Sequence, residues 1–158
     1  MKKSVLLAIW GVLLILTNAL ADGFAMERWL EVSTRCAKSL SEGDRALILS
    51  TEPDNGRLKD YSFCLYTGIG YFHDGAFDPV YIRTFVEDLY PDKSISEPIY
   101  QWNVKHIKEA NALQGDDRDK TYLFWDRGND EEFQKLTDHL SNISPIFEQI
   151  SLDLVELN

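Results

Sequence analysis

The chain has 158 residues, 44% of them apolar, with 16 Lys plus Arg against 26 Asp plus Glu, a net charge of −10. With 7 Tyr, 8 Phe and 4 Trp it carries enough bulk to build a core, which excludes a disordered polyelectrolyte. An acidic chain whose longest run of cations is Lys2-Lys3 is excluded as a nucleic-acid binder, because neutralising phosphates requires clustered Lys and Arg.

Lys2 and Lys3 precede an uncharged stretch from Val5 to Leu16, followed by Ala19-Leu20-Ala21, the small residues a signal peptidase requires. This predicts a secretory signal over residues 1–21, cleavage after Ala21, and a mature single domain from Asp22 to Asn158 in the extracellular space. The rival is an uncleaved anchor, but the stretch is short for a bilayer that needs about 20 apolar residues. No membrane association is expected after cleavage. In an oxidising compartment an isolated cysteine pair reads as a disulfide, so Cys36 and Cys64 are expected to be bridged, the alternative being two buried thiols.

The mature chain divides into helix-length segments with almost no period-two alternation, which predicts an all-α domain. Trp29, Val32, Cys36 and Leu40 share one face of a helix over about Phe24–Leu40, ended by Gly43. A short apolar stretch, Ala46–Leu49, leads into the turn Glu52-Pro53-Asp54-Asn55-Gly56. A second cysteine helix, about Leu58–Phe72, is closed by Asp74-Gly75. Asp78-Pro79 supplies an N-cap and a first-turn proline for a helix with Ile82, Phe85, Val86 and Leu89 inward.

Glu97-Pro98 is expected to open the next helix, which carries Ile99, Trp102, His106 or Ile107, and Ala110 until Gln114-Gly115. Asp117 or Asp119 starts a short helix with Tyr122, Leu123 and Trp125, ended by Arg127-Gly128. Asn129 with Glu132 fits a capping box for a helix bearing Phe133, Leu136 and Leu140. Ser144-Pro145 opens the last, with Ile146, Phe147, Ile150, Leu154 and Val155 inward.

Signatures of chemistry are missing from the linear sequence. His73, His106 and His139 show no metal-ligand spacing, Gly68-Ile69-Gly70 lacks the third glycine of a dinucleotide loop, and no serine stands in Gly-x-Ser-x-Gly. Asp116-Asp117 and Asp130-Glu131-Glu132 read as helix starts, and Asp138 and His139, adjacent on a helix, do not face each other. The expectation is therefore no enzyme, no cofactor and no metal. The aromatic content suits either a filled core or an apolar cavity with a few polar handles.

Glu52-Pro53-Asp54-Asn55, Lys59-Asp60-Tyr61-Ser62-Phe63-Cys64, Gly70-Tyr71 and Asp74-Gly75-Ala76-Phe77-Asp78-Pro79 resemble the middle of the insect odorant-binding-protein superfamily, nearest to its salivary D-seven branch from blood-feeding flies. Cys36 matches that pattern's first cysteine and Cys64 its third. Asp60 stands where the second would be, and the later Cys-x8-Cys pair falls near Asp117 and Asp126, so one of three bridges is retained. The stretch Tyr122–Phe133 is similar to the D-seven run of aromatics, turn and acidic helix.

The resemblance implies six to eight helices around a central hydrophobic pocket that sequesters a small ligand: an odorant, an eicosanoid or a biogenic amine. Trp29, Tyr61, Phe72, Trp102 and Tyr122 are the expected lining. Asp138 is the expected partner of an amine, with Ser141 in place of a second carboxylate. A ligand carboxylate would instead want Lys59, Arg83 or Lys105. The alternative to a carrier is an acidic extracellular interaction domain with a filled core.

Overall fold

A computed structural model describes residues 24–48, 50 and 55–137. The segment 1–21 expected to be a secretory signal, Asp138, Ser141 and the helix expected from Ser144 lie outside the described residues. Seven helices account for most of the described chain: α1 (Phe24–Ala37), α2 (Glu42–Ile48), α3 (Lys59–Ile69), α4 (Pro79–Leu89), α5 (Lys93–Ala112), α6 (Asp117–Arg127) and α7 (Glu131–Thr137). Between α3 and α4 lies a two-stranded hairpin, β1 (Phe72–His73) and β2 (Ala76–Phe77). The domain is all-α.

Aspartate caps start four of the seven described helices. Asp78 Oδ1 accepts from the N–H groups of Val80 (2.8 Å) and Tyr81 (3.1 Å), with Pro79 at the first helical position, as expected from sequence. Asp116 caps α6 through the N–H of Asp119 at 2.9 Å. Two expected starts are displaced. Asp130, not Asn129, caps α7, its Oδ1 accepting from Phe133 N–H at 2.9 Å. The long helix α5 begins at Lys93 and carries Pro98 inside it, because Asp92 accepts from Ser94 N–H (2.8 Å) and so starts the helix a turn and a half earlier. Pro98 lies early enough that the missing N–H costs one bond near the helix start, while Ser96 and Ile99 are buried on either side.

The first helix also stops sooner than expected, at Ala37, and Gly43 falls within α2, which Ser41 opens by accepting from Asp44 N–H at 3.2 Å. The second cysteine helix ends at Ile69 instead of running to Phe72. Gly70 adopts φ 92°, a left-handed C-cap that leaves its place open to the Tyr81 ring, since a Cβ there would sit 2.9 Å from Tyr81 Cζ. Phe72 and His73 then pair with Phe77 and Ala76 across a two-residue turn, Asp74 (φ 52°) and Gly75 (φ 79°). An Asp-Gly pair flanked by aromatics is a hairpin signal that the helical periodicity obscured.

Helix α1 lies against α3 and α4, and α3 and α5 both contact α6. The disulfide Cys36–Cys64 joins α1 to α3 with Cα atoms 5.8 Å apart. Close approach of these helices needs Gly68: a Cβ there would be 2.4 Å from Val32 Cγ1, and its carbonyl accepts from Arg28 Nη2 at 2.8 Å. Asp88 of α4 accepts from Ala25 N–H at 2.8 Å, supplying the start of α1 with a partner from another helix. Leu58, Leu65, Ile69 and Ile82 are fully buried at the centre.

Candidate ligand cavity

The aromatic side chains form one connected web. Tyr66 of α3 contacts Phe77 and Phe124 at centroid distances of 5.5 and 5.1 Å, and Phe124 continues to Trp102 at 5.7 Å. Trp102 packs on Phe133 of α7 at 4.4 Å. At the other end Tyr71 meets Phe85 edge-on at 5.2 Å, and Trp29 of α1 approaches Phe85 at 6.5 Å.

These rings leave a void. A cavity of about 210 Å³ is lined by Trp29, Tyr61, Tyr66, Tyr71, Trp102 and Phe124 together with aliphatic groups that include Val86, Leu89 and Ile99. No described lining residue carries a charge at neutral pH; the polar members are Asn103, Asn129, the phenols and the indoles. An apolar cavity of about 150 Å³ holds a benzene molecule, so this one suits roughly eight to ten non-hydrogen atoms.

Polar handles are present but sparingly used. The indole Nε1 atoms of Trp29 and Trp102 are buried without a hydrogen-bond partner. Leaving such a donor unpaired costs about 1–3 kcal/mol, a cost that an acceptor placed nearby recovers. Burial pushes the phenols of Tyr61, Tyr66 and Tyr71 well above the usual range, and neighbouring phenols raise Tyr66 and Tyr71 further. All three therefore stay neutral hydroxyls at any physiological pH. Asn103 is buried and donates from Nδ2 to the Ile99 carbonyl at 2.8 Å, which fixes its amide.

Of the expected lining residues, Trp29, Tyr61 and Trp102 are brought together here. Phe72 is not: it points to the hairpin side, against Phe63 (6.3 Å) and Phe77 (5.0 Å), because α3 ends before it and the strand turns its ring away. Tyr122 lies on the opposite face of α6 from Phe124, where its hydroxyl accepts from Gly56 N–H at 3.0 Å and it lines a shallow surface groove with Lys59 and Asp119. The expected cations are also committed elsewhere. Lys59 pairs with Asp119 at 2.6 Å, Arg83 with Glu87 and Glu97 at 3.2 Å each, and Lys105 with Glu132.

Sequence reasoning missed Tyr66, Tyr71 and Phe124. Tyr66 and Phe124 lie on helical faces whose inward direction is set by packing between α3 and α6, while Tyr71 follows the Gly70 cap. Asp60, at the position of a cysteine in the resembled pattern, faces Arg118 of α6 at 2.9 Å. No protein family's model matches the chain, and no curated protein or solved structure matches it.

Proposed function

We propose that the protein is an exported carrier that holds a small, mainly apolar, uncharged ligand bearing an acceptor oxygen, and does so without chemistry. The observation that carries this reading is the uncharged aromatic cavity, whose lining includes Trp29 and Trp102, two residues with buried, unpartnered indole N–H groups. A ligand ammonium finds no carboxylate among the described lining residues, so the amine form of this reading rests on Asp138 alone. The described part of the cavity has room for about ten heavy atoms of a ligand. Aromatic or terpenoid aldehydes, ketones and alcohols fit best. Burial of so few atoms supports a Kd on the order of 1–100 µM.

The odorant-binding resemblance supports the same reading, since it also implies helices around a sequestering pocket. The test is calorimetric titration of the disulfide-bonded chain with a panel of small carbonyl compounds, alcohols, biogenic amines and fatty acids, with tryptophan fluorescence as a second readout. Trp102→Phe keeps the ring and removes the donor. It is expected to weaken a carbonyl ligand about five- to tenfold and to leave a hydrocarbon of the same shape unchanged. Silence across the panel overturns the carrier reading and favours an interaction domain that uses its acidic surface.

A further inference from the structure

We propose that His106, Asp130 and Glu132 form a binding site for a first-row divalent metal ion of the zinc class, at the junction of α5 and α7. One ligand atom from each residue lies within 4.8 Å of the other two. The cluster sits outside the cavity lining, so it stands or falls independently of the carrier reading.

His106 is what separates this cluster from an ordinary acidic helix start. Its side chain is only 6% exposed, yet neither ring nitrogen makes a hydrogen bond. A buried imidazole lacking both partners is costly, and the surroundings show how it is oriented. Trp102 covers one side of the ring at a centroid distance of 4.5 Å. Nδ1 has Glu109 Oε2 at 3.5 Å, and Glu109 is itself held by a two-pronged contact from Arg127 (3.1 and 2.6 Å). Glu109 thus stands at Nδ1, the position from which an outer carboxylate orients a metal-bound imidazole.

Nε2 faces Glu132 Oε2 at 4.0 Å. This is too long for a hydrogen bond, but two donor atoms bound to one ion at about 2.0–2.2 Å stand roughly 3–4 Å apart. Asp130 completes the set because it is the cap of α7. Residues two apart within a helix diverge, but a cap residue folds over the first turn, and Oδ1 is held there by Phe133 N–H while the carboxylate keeps further lone pairs for a metal. One imidazole and two carboxylates suit zinc or cobalt better than calcium or magnesium, which take oxygen ligands only. Lys105, paired with Glu132, is the cation that an incoming ion must displace or share with. Binding would tie the start of α7 to α5.

The full chain, disulfide intact and stripped of metal with a chelator, is titrated with Zn²⁺ by calorimetry and with Co²⁺ by visible absorption. One ion per chain is expected, with affinity at least tenfold weaker in His106→Gln, Asp130→Asn and Glu132→Gln and unchanged in His73→Gln. Glu132 is exposed, so Glu132→Gln tests the site without disturbing the fold. Amide exchange over residues 131–137 should slow on Zn²⁺ addition in the parent and not in Glu132→Gln. Absence of stoichiometric uptake overturns the proposal, as does uptake that all three substitutions leave unchanged.

Discussion

The carboxamide of Asn111 clamps the backbone of Phe77: its Oδ1 accepts from the Phe77 N–H at 2.9 Å and its Nδ2 donates to the Phe77 carbonyl at 3.2 Å. The last turn of α5 thereby completes the edge of a hairpin too short to hold itself, and Lys120 of α6 secures the turn by donating to the Gly75 carbonyl at 2.9 Å. Asn111→Leu leaves both backbone groups of Phe77 without these partners and is expected to lower stability by about 1–3 kcal/mol in urea unfolding, a cost that Asn111→Gln does not recover because its amide sits one carbon too far out.

Gly68 is predicted to be intolerant of any side chain. Its missing Cβ is where Val32 Cγ1 lies, so Gly68→Ala must push α1 away from α3 next to the disulfide. Overpacking of this kind costs about 1–3 kcal/mol. The double substitution Val32→Ala with Gly68→Ala should recover part of the loss, which a double-mutant cycle of denaturation midpoints would measure.

Joining residues 28 positions apart, the Cys36–Cys64 bridge restricts the unfolded chain by about 3–4 kcal/mol on the entropy model. Replacing both cysteines by serine should lower the midpoint of thermal unfolding by many degrees, and reduction of the parent protein should reproduce the shift. An unchanged midpoint would show that the α1–α3 contact is held by packing alone.

His73 lies between Asp78 (3.2 Å) and Asp74 (3.4 Å), and its hydrogen bonds first to Asp78 and then to Asp74 raise its pKa above the ordinary value of 6.5. A raised folded-state pKa means that its contribution is fully present below about pH 6.5 and is lost as pH rises through the folded value. Asp78 is depressed in turn, first by the Tyr81 N–H and then by His73, so its contribution is present above its unfolded pKa and lost on acidification. Stability measured against pH should therefore show a loss on the alkaline side of 6.5 that His73→Gln removes, and a separate acid loss that Asp78→Asn diminishes.

Filling the cavity separates the carrier from a domain with a packed interior. Ile99 is buried and lines the void, so Ile99→Phe should abolish ligand uptake while changing stability by less than the overpacking at Gly68. A loss of stability as large as that of Gly68→Ala, with no ligand found for the parent, would mean that the space is not one the protein keeps open.

Local structure was legible in the sequence wherever a few neighbouring residues hold the relevant atoms. Asp78-Pro79 started α4, Arg127-Gly128 ended α6, and the three- and four-residue spacing of Val32 and Cys36 marked the buried face of α1, because caps and helical faces are decided within one or two turns. The all-α class was legible for the same reason, and the Cys36–Cys64 bridge because two cysteines allow a single pairing. Pro98 misled, since a proline marks a helix start only if no better cap stands upstream, and Asp92 does.

Whatever depends on which faces meet followed from the packing of the helices against one another. Trp29 and Trp102, more than seventy positions apart, share a cavity only because α1 and α5 converge on it, whereas Phe72 is turned out by a hairpin whose stability comes from Asn111, 34 residues away. His106, Asp130 and Glu132 have no recognisable spacing and become a cluster only when the cap of α7 lands on α5. Spacing along a chain encodes a direction around one helix axis; the distance between two axes is set by the small residues and rings packed between them.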